Sequence, residues 1–132
     1  MNFLGWIPAL IQMGLIFGLS SIPGKNLPQF FPFADKFEHM IAYSILGALL
    51  ACRPGFAEVF QSRKPSKWTS GGFLFPMLGI LYGISDEIHQ LFVPGRMFGI
   101  DDMAADGVGI VLGFYLLRTW DRRRLLTQKK VS

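Results

Sequence analysis

Ser85-Asp86-Glu87-Ile88-His89-Gln90-Leu91-Phe92-Val93-Pro94-Gly95-Arg96 closes a long apolar run, and its reading decides the fold. From Ser70 to Ser85 the chain carries no charge; then Asp86, Glu87, His89 and Arg96 arrive around a Pro-Gly turn. Such a cluster is ordinary on a soluble surface. At the edge of a bilayer it is costly, and it marks a functional site by default.

The chain has 132 residues, enough for one domain; 51% are hydrophobic and only 17% are charged. That balance points to an all-α, polytopic membrane protein rather than a soluble domain. The single cysteine, Cys52, excludes an internal disulfide and a cysteine-based metal cage, and it reads as a small apolar core residue. Residues 1–24 carry no charge, so the basic start of a cleaved signal peptide is missing and a retained first span is expected.

Four transmembrane helices are predicted, at about 3–21, 34–53, 70–92 and 101–117, arranged as two helical hairpins in one domain. Pro23-Gly24-Lys25 ends the first. A Pro- and Phe-rich connection with Phe30, Phe31 and Phe33 suits a membrane interface. The second opens with Asp35, Lys36, Glu38 and His39, and its apolar remainder is too short to span without them. Residues 53–69 form a polar loop, and 118–132 a basic tail.

Ten of the thirteen Lys and Arg lie in that loop and tail. The positive-inside rule therefore puts both, with the N-terminus, in the cytoplasm, and turns the tips 22–34 and 93–100 outward. Seven of the nine acids fall on the outer side: Asp35, Glu38, Asp86, Glu87, Asp101, Asp102 and Asp106.

Measured from the outer helix ends, His39, Asp86 and Asp106 all lie roughly 6–9 Å deep. The i,i+4 spacing places Asp35 with His39, and Asp102 with Asp106, on one helix face each. The expectation is a shallow polar pocket, open to the outside and lined by spans two, three and four. The competing reading is that these groups pair with one another to lock the helices, as buried ions in membranes usually do. Three Gly-xxx-Gly patterns (Gly14/Gly18, Gly79/Gly83, Gly109/Gly113) read as close packing inside the bundle rather than as a dimer interface. Pro23-Gly24-Lys25 before Asp35/His39, and Pro94-Gly95-Arg96 before Asp102/Asp106, suggest a faint repeat of the hairpin.

Ser20-Ser21-x-Pro23-Gly24, Asp35-Lys36-x-x-His39-x-x-x-Tyr43, Asp86-Glu87-x-His89-Gln90, Pro94-x-Arg96 and Asp102-x-x-x-Asp106-x-x-Gly109-x-x-x-Gly113 together resemble the VanZ-like family of membrane proteins. The resemblance covers most of residues 20–113. One departure is Asp106, where Asn is usual in the family, so a protonated carboxyl and a ligating carboxylate are both open there. The resemblance implies a small bacterial multi-pass protein of the cell envelope. The family takes its name from a protein linked to resistance to teicoplanin, a glycopeptide antibiotic, and it implies no settled biochemical activity.

Three functions are compatible with these residues. The first is a site that binds or modifies an outer-leaflet lipid or a lipid-linked envelope precursor, or meets a glycopeptide. There His39 and His89 are the acid/base groups, and Asp35 and Asp86 orient them. Lys36 and Arg96 hold a phosphate or carboxylate, with Glu87, Gln90, Asp102 and Asp106 as further ligand-binding residues. The second is a non-catalytic structural or partner-binding envelope protein. The third is a proton-coupled transporter, disfavoured because no polar residues line the inner halves of the spans. Whether the protein is an enzyme, and its oligomeric state, stay open. No metal or other cofactor is expected, because no consensus ligand spacing is present, although Asp or Glu with His can bind a divalent ion. Nucleic acid is not an expected partner. The basic tail suits anionic lipid at the cytoplasmic surface.

Overall fold

A computed structural model describes residues 3–26, 33–52 and 73–131. Within them the chain is all-helical, with four α-helices and two short 3-10 turns. A 3-10 turn at Phe3–Trp6 leads into α1 (Ile7–Ser20), with Pro8 in its first turn, where a missing N–H costs nothing. A second 3-10 turn, Gly24–Asn26, follows the break at Pro23. Helix α2 is Ala34–Ala51, α3 is Leu74–Gln90 and α4 is Ile100–Val131. Acids stand in the first turns of α2 (Asp35) and α4 (Asp101, Asp102), where they complement the helix dipole.

The fourth helix runs well past its predicted end at 117. Charge begins at Arg118, but charge does not stop a helix. Residues 114–131 contain neither Gly nor Pro and are rich in Leu, Arg and Lys. The basic segment Arg118–Arg124 is therefore helical rather than a separate tail. The predicted polar loop at 53–69, and Phe30 and Phe31 of the first connection, lie outside the described residues.

Pairing within the two predicted hairpins is not the dominant contact. The most extensive packing joins α2 to α4. Glycine explains it. A Cβ added at Gly47 would collide with the Ile110 carbonyl, one at Gly109 with the Met40 carbonyl, and one at Gly113 with the Ser44 carbonyl. Backbones this close need residues without side chains. Gly79 and Gly83 of α3 meet side chains instead, Ile110 and Asp106 of α4 respectively, whereas Gly14 and Gly18 of α1 meet nothing within 4 Å. Tyr43, Leu46, Leu50, Ile110 and Phe114 form the centre of the core, with Ala9 and Ile16 of α1 added at its edge.

Large apolar side chains are exposed along all four helices. Ile11, Leu15, Ile41, Leu81, Ile88 and Leu116 are all exposed. Among the described residues no helix is long and apolar enough to cross a membrane. Among the described residues the fold is all-α, with four α-helices.

Candidate functional site

The two Pro-Gly turns seen in the sequence meet at one end of the bundle. Gly24 N–H donates to Pro94 O at 3.1 Å, and a Cβ at Gly24 would strike the Gly95 carbonyl. Gly95 has φ +76°, a conformation that glycine adopts without cost. Arg96 locks the contact: its Nε donates to Ile22 O (3.3 Å) and its Nη2 to Leu19 O (3.2 Å). An arginine on the last carbonyls of a helix caps it and complements its dipole.

Beneath the turns lies a cavity of about 580 Å³. Its polar wall includes Asp35, Lys36, Glu38, His39, Asp86 and Asp102; its apolar wall includes Ile16, Leu19, Phe33, Met97 and Phe98. Phe33 precedes α2 with φ 69°, an unusual conformation for a bulky side chain. Residues of α1, α2 and α3 and the start of α4 all contribute to the cavity lining, α1 through Ile16, Leu19 and Ser20.

Each predicted site residue has a definite place. Lys36 of α2 is surrounded by acids: its Nζ lies 2.9 Å from Asp102 Oδ1 and 3.7 Å from Asp35 Oδ2, and it also bridges to Asp101. Asp86 of α3 is buried and accepts from Ser20 Oγ at 2.7 Å; Ser20 in turn accepts from Gln90 Nε2 at 3.4 Å. Glu87 and Asp106 are fully buried and do not figure among the lining residues; they stand behind the cavity wall.

His39 and His89 are in different surroundings. His39 Nδ1 hydrogen-bonds Asp106 Oδ1 at 3.0 Å and lies 3.8 Å from Glu87 Oε1. An imidazole between two carboxylates can move a proton or hold a cation. His89 stacks on Phe17, with ring centroids 4.5 Å apart, and sits 3.1 Å from Ser21 Oγ. That hydroxyl already donates to Phe17 O at 2.7 Å, so His89 Nε2–H is the donor to it. His89 therefore fastens α3 to α1 and is not among the residues that line the cavity.

Sequence reasoning passed over Ser20 and Ser21 as site residues, reading them as the end of a span. Both bind α3: Ser20 through Asp86 and Gln90, Ser21 through His89. The available signal was their position just before the Pro-Gly turn. Tyr43 was also passed over; it lines the cavity and packs beside His39 and Tyr82.

A family model described as VanZ/LLP1 matches residues 4–121, a stretch that contains the whole site. No curated protein matches the chain, and no solved structure does.

Proposed function

The chain belongs to the VanZ/LLP1 family, and from that premise we propose that it is a small cell-envelope membrane protein whose cavity binds an amphiphile with an amine-bearing head. The observation that carries this reading is the charge of the cavity wall. Among the described residues, Asp35, Glu38, Asp86, Asp101 and Asp102 line it against Lys36, Arg96 and the imidazole of His39. Both cations are engaged, Lys36 by three acids and Arg96 by two main-chain carbonyls. An ammonium group satisfies such a wall better than a phosphate or carboxylate does. The neighbouring Leu19, Phe33, Met97 and Phe98 suit the apolar part of a lipid or lipid-linked precursor.

The exposed apolar side chains on all four helices support immersion in a bilayer. Helices of 14, 18 and 17 residues are shorter than the ~20 that cross a typical hydrocarbon core. A bilayer accommodates short helices by thinning locally. In this reading the protein is multi-pass, the cavity opens to the outer face, and both termini are cytoplasmic, the side that the Lys and Arg distribution favours. No step of chemistry is needed for it.

The test is binding in detergent micelles doped with phosphatidylethanolamine or phosphatidylglycerol, followed by native mass spectrometry. Phosphatidylethanolamine is expected to be retained by the wild type and lost from Asp35→Asn/Glu38→Gln. Equal retention of both lipids, or no effect of the double substitution, rejects the reading. Teicoplanin is a third ligand in the same assay and tests a link to glycopeptide resistance directly.

A further inference from the structure

We propose that His39, Glu87 and Asp106 form a binding site for one divalent first-row transition ion, of which Zn²⁺ and Mn²⁺ are the chemically best matched. The three residues come from α2, α3 and α4, and each offers a ligand atom within 4.8 Å of the other two. His39 Nδ1 is 3.0 Å from Asp106 Oδ1 and 3.8 Å from Glu87 Oε1. An ion bonded at ~2.0–2.2 Å to each of three atoms holds them roughly 3–3.5 Å apart. The side chains are thus close to a coordinating arrangement without rearrangement of the helices.

Buried, unpartnered oxygens point independently to a ligand. Glu87 is 0% exposed and Asp106 is 1% exposed. Glu87 Oε2 accepts from Gly99 N–H, which fixes the carboxylate, but Oε1, the atom turned to His39, has no hydrogen-bond partner among the described residues. Asp106 Oδ2 has none either. Unsatisfied buried carboxylate oxygens are expensive, and coordination of a metal is one of the few ways to satisfy them. Lysine is not available here: Lys36 is taken by Asp35, Asp101 and Asp102. One imidazole and two carboxylates suit a borderline ion better than a soft one. The proposal does not depend on what the cavity binds: His39 reaches the cavity wall, but Glu87 and Asp106 stand behind it, and the test uses no lipid.

The experiment is titration of chelator-treated, full-length protein with Zn²⁺ alone, read by calorimetry and by the melting temperature. One ion per chain and a raised melting temperature are expected. Glu87→Gln and Asp106→Asn are expected to weaken binding roughly 100-fold, while Asp101→Asn, which alters an exposed acid, leaves it unchanged. Failure of the wild type to saturate at one equivalent overturns the site. So does a loss of binding in Asp101→Asn that Glu87→Gln does not show.

If the core variants do not fold, the two histidines of the chain still decide the matter. Co²⁺ added to folded protein is expected to shift the ring signals of one histidine strongly, and that shifted signal is expected to persist in His89→Gln. Its disappearance in His89→Gln, or the absence of any strongly shifted ring in the wild type, overturns the proposal.

Discussion

Ser20 Oγ of α1 donates to Asp86 Oδ2 of α3 at 2.7 Å, across 66 positions of sequence, with both residues buried. The same hydroxyl accepts from Gln90, so a single atom joins two side chains of α3 to α1. Ser20→Ala removes both bonds and leaves neither Asp86 oxygen with a partner among the described residues. The expected loss is about 1–3 kcal/mol of stability, and Ser20→Thr, which keeps the hydroxyl, is expected to restore most of it. Unfolding curves of the two variants provide the check; a Ser20→Ala curve that overlays the wild type would show that the joint contributes nothing.

Glycine substitutions separate packing from propensity. Gly113→Ala forces a methyl group against the Ser44 carbonyl, and about 1–3 kcal/mol of destabilisation is expected from the overlap. At Gly14 nothing lies within 4 Å, so Gly14→Ala is expected to gain up to about 1 kcal/mol from helix propensity alone. The two changes are chemically identical and should move the melting temperature in opposite directions. The same sign for both would remove the α2–α4 seam as the explanation of the glycines.

Arg96 tests geometry against charge. Its two donors reach Leu19 O and Ile22 O from different nitrogens of one guanidinium. Lysine keeps the charge but not the fork. Arg96→Lys is therefore expected to behave like Arg96→Ala, with exchange of the Gly24 amide, which donates to Pro94 O, accelerated at least about tenfold. Wild-type protection of that amide in Arg96→Lys would mean that charge alone holds the turns together.

Much of this fold is legible from the sequence. Uncharged runs located α1 and α3, and a charged first turn followed by an apolar stretch located α2, each to within a few residues, because burial of apolar helix faces and the breaks at Pro23 and Pro94 leave a plain pattern. The end of α4 was not legible for a physical reason: the onset of arginine marks where a membrane would end, and a helix ignores that boundary when Gly and Pro are absent. The faces of α2 and α4 were readable from i,i+4 spacing, and His39 does meet Asp106. What spacing could not give is partner choice between helices. Lys36, and not Arg96, meets the acids of α4, and His89 turns to Phe17 and Ser21. The trio His39, Glu87 and Asp106 draws one residue from each of three helices, so no local motif announces it.

Backbone-to-backbone contact at Gly47, Gly109 and Gly113 also has a mechanical meaning. Carbonyls of Ile110, Met40 and Ser44 fill the places where side chains would otherwise act as bearings. Two rods pressed together in this way neither slide nor roll without lifting apart, so α2 and α4 behave as one stiff beam. Adjustment of the cavity to an occupant then falls to α1 and α3, which rest on that beam mainly through side chains, with Gln12 of α1 donating to Ala42 O of α2, and are tied to each other by Ser20 and Asp86.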